Sequence, residues 1–205
     1  MTNKPTELIS LRQFAGVRYW PTWLGLFVMW GIARLPFTFQ MKIGQALGLL
    51  SYVFARERRH ICDINLQLCF PELSNKERNT LTRKTFMSNG IGVLEIAMAW
   101  SRNPKDFSQR VTISGMENLE QAVSKGKGVL LVCAHFSTLE ICGSLFTLFS
   151  NMAVTYRPHK NPLFEAVMFN GRMKLFSGVF RRNDVRQAMR TLKEGNILWY
   201  APDQD

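Results

Sequence analysis

The sequence is poor in several things that would each point to a chemistry. It holds three histidines and four cysteines in 205 residues. Cys62, Cys69, Cys133 and Cys142 form no C-x-x-C pair and have no clustered histidines beside them, so the spacing of a structural zinc site is missing. Neither G-x-x-x-x-G-K-[ST] nor G-x-G-x-x-G occurs, which removes the usual phosphate cradle of a nucleotide cofactor. No serine sits in a G-x-S-x-G elbow and no cysteine is spaced for a catalytic pair, so a covalent enzyme nucleophile is not indicated. Low-complexity tracts and repeat arrays are lacking too. Neither a metal nor a cofactor is expected, and the unpaired cysteines read as reduced thiols facing the cytosol.

Acidic residues are scarce and basic ones are not. Twenty-six Lys and Arg against fifteen Asp and Glu give a net charge of +11. That balance favours anionic partners: nucleic acid, a phosphorylated lipid surface or an acidic protein. The basic residues are dispersed and no nucleic-acid-binding motif accompanies them, which makes nucleic acid the weakest of the three. Hydrophobic residues make up 46% of the chain, which excludes disorder. The length allows one sizeable core plus an appendage.

The most apolar stretch is "YWPTWLGLFVMWGIA", residues 19–33, held between Arg18 and Arg34. A bilayer span needs about 20 residues, so this run crosses only if Arg34 snorkels and "LPFTF" (35–39) is included. The expectation is a membrane-associated helix over about 19–39, spanning or lying in the interface; a buried core helix and a signal peptide cut after Ala33 are the competing readings. Arg34 directly after that cut site, a second apolar stretch at 43–55 and the unpaired thiols argue against secretion. From Ile43 to about Trp100 the pattern is helical, broken at Pro71, and Ser74 with Glu77 has capping-box spacing. The arginines at 56, 58 and 59 suit lipid phosphates and suit a solvated helix face equally well.

After "SRNPKD" (101–106) the grammar changes. A short strand "RVTISG", a helix "MENLEQAVSK" and the strand "GVLLVCA" are followed later by a helix "DVRQAMRTLKE", Gly195 and the strand "NILWYAP". Continuous apolar strands alternating with helices predict an α/β fold with a mainly parallel sheet flanked by helices, whose ligand site lies beyond the carboxyl ends of the strands. The expected organisation is 1–39 with the membrane helix, 40–106 helical, and an α/β core over 107–205. The chain stops at Asp205 just after a buried-type strand, so that core is expected to be incomplete at its C-terminus.

His135 and Asp203 fall at two such strand ends. Imidazole takes a proton well near neutral pH when a carboxylate fixes its tautomer. On one continuous helix His135 and Glu140 would lie about 140° apart, so they meet only if the strand ends near His135 and a helix begins just after it. Ser137 and Glu140 have capping-box spacing, which supplies that start and equally supplies Glu140 with a purely structural task. Arg157, in "VTYRPHKNP", closes another apolar strand and is either an anion binder or a loop anchor. His159 and Lys160 read as ordinary loop residues. Arg182 and Asp184 precede a helix, and Asp184 with Gln187 reads as a cap. A base without an enzyme nucleophile suggests direct attack by a substrate hydroxyl, as in acyl transfer.

Five ordered blocks carry a more specific signal: "NLQLCFPELSNKER" (65–78), "AHFSTLE" (134–140), "YRPHKNP" (156–162), "RRNDVR" (181–186) and "LKEGNILWYAPDQD" (192–205). Together they resemble the late acyltransferases of lipid A biosynthesis, most closely the lauroyltransferase branch. The resemblance implies a glycerolipid-acyltransferase-like core in an enzyme of the bacterial inner membrane, with its active site facing the cytoplasm. It implies transfer of a fatty acyl chain from acyl-carrier protein to a hydroxyl of a Kdo-linked tetraacyl lipid A precursor. Carried onto matching positions, it makes His135 the general base and Glu140 its partner, with Arg157, Arg182 and Asp203 as substrate-binding candidates. The implied partners are acyl-acyl-carrier protein, the lipid A precursor and an anionic membrane surface. A glycerol-phosphate-type acyltransferase and a non-catalytic basic membrane-binding module are the alternatives.

Overall fold

The computed structural model of the chain describes residues 8–203. By compactness the chain divides into two units, one made of the residues up to Phe27 together with those from Ala99 onward, the other of Val28–Met98. These boundaries differ from the 39 and 106 read from composition.

The Val28–Met98 unit is helical. The apolar run of the N-terminal region becomes α1, Trp20–Ile32, whose last residues enter this unit. Thirteen residues rise about 20 Å at 1.5 Å each, short of a hydrocarbon core of about 30 Å. The expected continuation to residue 39 does not form: no described helix is long and apolar enough to cross a membrane. The break is built by Gln40, fully buried, whose Nε2 donates to the carbonyls of Ala33 (3.3 Å) and Leu35 (2.6 Å). Those bonds satisfy carbonyls that the helix end leaves open, and Pro36 then starts α2, Phe37–Phe54. Helix α3, Arg56–Cys69, follows after Ala55, and α4 runs over Asn75–Ser101. The capping box forms: Glu77 N donates to Ser74 Oγ (3.4 Å), and Ser74 N donates back to Glu77 Oε2 (2.9 Å).

Helices α2 and α4 touch backbone to backbone. A Cβ on Gly90 would lie 2.1 Å from Gly44 O and 2.5 Å from Gly48 N, so only glycines permit this crossing. The Gly44-x-x-x-Gly48 spacing places two such gaps on one side of α2, the small-residue arrangement that lets helices approach closely.

The other unit carries the sheet. Strands β1 (Val129–Val132), β2 (Ala153–Tyr156), β3 (Gly178–Arg181) and β4 (Ile197–Tyr200) are all parallel, in the order β1-β4-β2-β3. Helix α5 (Met116–Val123) leads into β1, and helices α6 (Leu139–Phe146), α7 (Pro162–Leu175) and α8 (Val185–Lys193) connect the successive strands. The expected α/β architecture with a parallel sheet is present. The stretch 111–115, expected as a strand, has no ladder partner; a 3-10 segment over Pro104–Arg110 precedes it and Val111 is merely extended. Strand β3 and helix α7 had no counterpart in the sequence reading.

Period-two alternation puts different residues on the two faces of the sheet. Val154, Tyr156 and Val179 pack with Met168 of α7 and with Trp199, while Ala153, Phe180 and Leu198 pack with Ala188 and Leu192 of α8. Two glycines with positive φ, Gly126 (+66°) and Gly195 (+80°), turn the chain out of α5 and α8 into β1 and β4. At the other end of this unit Phe14 and Tyr19 pack on Leu163 and Ala166 of α7, with Trp23 and Leu26 of α1 against them. Trp20, Leu24 and Phe27 on the same helix stay 61–67% exposed.

Candidate active site

The four strands run the same way, so the residues that follow them share one edge of the sheet. His135 follows β1, Asp203 follows β4, Arg157 follows β2 and Arg182 follows β3. With neighbouring strands about 4.8 Å apart, the strand order sets these residues side by side in the sequence His135, Asp203, Arg157, Arg182.

The first two are in contact. Asp203 Oδ1 lies 2.7 Å from His135 Nδ1, and Oδ2 accepts the backbone N–H of His135 at 2.7 Å. The ladder continues far enough to make this possible, since Cys133 N donates to Tyr200 O (3.0 Å). The backbone N–H of His135, and then its ring, hold the Asp203 carboxyl below the usual carboxylate range. An ionised Asp203 can only accept, so Nδ1 of a neutral imidazole carries the proton and Nε2 keeps its lone pair. Both side chains remain about one-third exposed, 34% and 37%, which leaves Nε2 reachable from solvent.

Glu140 does not reach His135. Its carboxylate accepts from Trp100 Nε1 (2.8 Å) and Arg172 Nε (3.3 Å) and pairs with Arg172 Nη2. Both members of this pair are mostly buried, at 18% and 14% exposure. The physical reason is the local start of α6. The turn from Phe136 closes through Leu139 N to Phe136 O (3.0 Å), and the N-cap is Thr138, which makes no side-chain cap. The box expected between Ser137 and Glu140 is thus not the N-terminus that forms. A guanidinium and an indole N–H compete for the carboxylate and hold it. The Arg172 guanidinium also lies 5.3 Å from the Tyr156 ring centroid. Behind the ion pair is a cavity of about 60 Å³ lined by Gly143, Phe176, Trp199 and Cys133, among others.

Arg157 and Arg182 are exposed on adjacent strand ends, where Arg182 N donates to Tyr156 O (2.8 Å). His159 and Lys160 are loop residues; the His159 ring accepts from Asn161 N (3.0 Å) and sits 4.5 Å from the Phe164 ring. Asp184 caps α8 through Gln187 N (3.2 Å). Tyr156 donates to Glu165 Oε1 (2.7 Å); burial, then that acidic partner, push its phenol up to about 12. Cys133 is raised by burial. The four cysteines are all free thiols, and no group of three or more His, Cys, Asp or Glu among the described residues is placed to hold a metal ion.

Sequence reasoning missed Arg172 and Trp100. A usable signal existed for the first: Asn161-Pro162 is an N-cap followed by proline at the first helical position, which announces α7 and hence Arg172 on it.

Comparison with known proteins reveals a strong likeness. Residues 9–205 match the family described as bacterial lipid A biosynthesis acyltransferase. Over 194 residues the chain is 37% identical to the lipid A biosynthesis palmitoleoyltransferase of Escherichia coli (strain K12), covering 95% of this chain and 63% of that relative. It is 36% identical over 205 residues to the lauroyltransferase of the same organism, covering 100% and 66%. The myristoyltransferase of that organism is 29% identical over 196 residues, covering 95% and 61%. The chain spans just under two thirds of the length of these relatives.

Proposed function

The chain belongs to the family of bacterial lipid A biosynthesis acyltransferases, and from that premise we propose that it moves a fatty acyl chain from an acyl-carrier-protein thioester to a hydroxyl of a phosphorylated, Kdo-linked lipid A precursor. The observation that carries the mechanism is the double hold of Asp203 on His135. His135 Nε2 takes the proton of the acceptor hydroxyl as that oxygen attacks the thioester carbonyl. The new C–O bond forms, the C–S bond breaks through a tetrahedral intermediate, and the imidazolium returns the proton to the leaving thiolate. Asp203 keeps the ring in the productive tautomer and offsets its charge while it is protonated.

In this reading Asp203, assigned from sequence to substrate binding, is the partner of the base, and Glu140 becomes a positioning residue. Its buried pairing with Arg172 and Trp100 ties α6 to α7 and to the end of α4, holding the turn that follows His135. Arg157 and Arg182 face the phosphate groups of either substrate, as guanidinium pairs suit. Lauroyl is the donor chain proposed, on 36% identity to the lauroyltransferase, and palmitoleoyl is the competing reading, on 37% identity to the palmitoleoyltransferase. The protein works at the cytoplasmic face of the inner membrane, resting on exposed Trp20, Leu24 and Phe27 of α1 and drawn by its +11 charge to anionic lipid and to an acidic carrier protein.

The test is mass spectrometry of lipid A from cells with and without the protein, with lauroyl, palmitoleoyl and myristoyl additions scored side by side. One added acyl chain that is lost in His135→Ala supports the proposal. An unchanged lipid A accompanied by an altered phospholipid acyl composition would assign the protein to glycerol-phosphate-type acylation instead. No change in either lipid class, with membrane binding intact, would leave a binding module.

A further inference from the structure

The helical Val28–Met98 unit contains an open trough of about 830 Å³ that plays no part in the acyl-transfer reading. Three helices line it, each with a single stripe. Helix α2 offers Leu50 and Phe54, α3 offers Arg58 and Cys62, and α4 offers Phe86 and Gly90. Each pair has the i, i+4 spacing of one helix face. The floor lies beside the Gly48–Gly90 crossing, where the absence of side chains keeps the backbones close.

We propose that this trough binds one acyl chain of an anionic phospholipid, with the lipid phosphate on Arg58. The volume falls within the range of about 300–1,000 Å³ seen for small-molecule sites. The lining is apolar apart from a few hydroxyls, amides and the Cys62 thiol, and among the described residues Arg58 is its only charged side chain. Among the described residues Arg58 makes no hydrogen bond or ion pair, whereas its neighbour Arg59 is engaged, donating to Tyr52 O (3.2 Å) and lying over the Tyr52 ring. An exposed guanidinium at the mouth of an apolar trough matches an amphiphile with an anionic head. Leu50, Val53 and Phe54 beside the trough are 55–75% exposed, a surface suited to lipid. The stripe on α3 from Arg58 to Leu66 runs about 12 Å, two helical turns. That suits an extended hydrocarbon chain and is short for a docked protein helix.

Cys62 provides a readout independent of catalysis, because its free thiol lines the trough while Cys69, on the same helix, lies outside it. Purified protein held in amphipol is labelled with maleimide in the presence of increasing lysophosphatidylglycerol, and each cysteine is followed by peptide mass spectrometry. The expected result is saturable protection of Cys62 by about tenfold with Cys69 unaffected. Lysophosphatidylcholine of the same chain protects several-fold less well, and Arg58→Glu raises the half-protecting concentration of the anionic lipid about tenfold. Equal protection of both cysteines, or equal protection by both lipids in wild type and Arg58→Glu, would overturn the proposal. Native mass spectrometry of the same samples decides the case in which Cys62 resists labelling. One lysophosphatidylglycerol per chain, lost in Arg58→Glu, supports the site, and no adduct refutes it.

Discussion

Asp203 grips His135 at two points 2.7 Å away, one on the ring and one on the main chain, although 68 residues separate them. A carboxylate that holds both the Nδ1 position and the backbone of the same residue leaves the imidazole little freedom to rotate. That rigidity suits the general-base role proposed for His135.

Replacing Asp203 by Asn therefore removes the ionic partner while keeping the shape. Turnover is expected to fall by about 10²–10⁴, with KM for the acceptor little changed and the melting temperature close to wild type. The pH dependence of this contact follows from the same pair. Because the Asp203 carboxyl titrates below its ordinary range in the fold, its hold on His135 is complete above that range and disappears only as pH falls through the depressed value. Steady-state kinetics of Asp203→Asn beside Glu140→Gln checks both statements; a kinetic defect confined to Glu140→Gln would return the partner role to Glu140.

Glu140 predicts a stability effect. Glu140→Ala leaves the mostly buried Arg172 guanidinium without its carboxylate and Trp100 Nε1 without its acceptor, and is expected to cost about 3 kcal/mol. Adding Arg172→Met to Glu140→Ala should recover part of that loss, because the stranded charge is then gone. Denaturant melts of the two variants provide the comparison, and a double variant no more stable than the single one would contradict the argument.

Gly90 reverses the usual rule for helices. Glycine to alanine in a helix interior ordinarily gains up to about 1 kcal/mol, and Gly25 of α1, with nothing within 4 Å of its would-be Cβ, should behave so. Gly90→Ala drives a methyl into the backbone of α2 and is expected to cost about 2 kcal/mol or more. Thermal melts of the two alanine variants should move in opposite directions.

Tyr156 should titrate late. Its phenol is raised to about 12, so the fold favours the neutral form. That contribution is fully present below the unfolded value of about 10 and is lost as pH rises from there toward 12. Ultraviolet titration of phenolate absorbance should show one late step that vanishes in Tyr156→Phe, along with the steepest part of the alkaline loss of stability.

Local signals in the sequence carried much of the fold. The capping pairs Ser74–Glu77 and Asp184–Gln187 form as spaced, and the glycines before "VLLV" and "NILWY" turn helix into strand. His135 also sits at a strand end, as the apolar run predicts. What escaped depends on distant neighbours. The tie between His135 and Asp203 requires β4 beside β1, which no local pattern encodes. Ser137 and Glu140 have the spacing of a cap, but α6 takes Thr138 as its N-cap, and Arg172 and Trp100 hold the Glu140 carboxylate. The α1 helix stops short because Gln40, seven positions beyond Ala33, claims the carbonyls at its end. Residues 111–115 are extended but pair with no strand among the described residues.

The strand order has a consequence for how the molecule comes into being. Strand β4, the last of the four described strands, is an inner one, hydrogen-bonded to β1 on one side and β2 on the other. During synthesis β1 waits without its neighbour while β2 and β3 can already pair. The four described strands join only when Ile197–Tyr200 slides into the gap, a pairing across nearly 70 residues of intervening chain and so a slow one. The same insertion delivers Asp203. Joining of the four described strands and orientation of the proposed base are thus a single event, and a chain in which β4 has not yet inserted carries an imidazole without the Asp203 carboxylate to orient it.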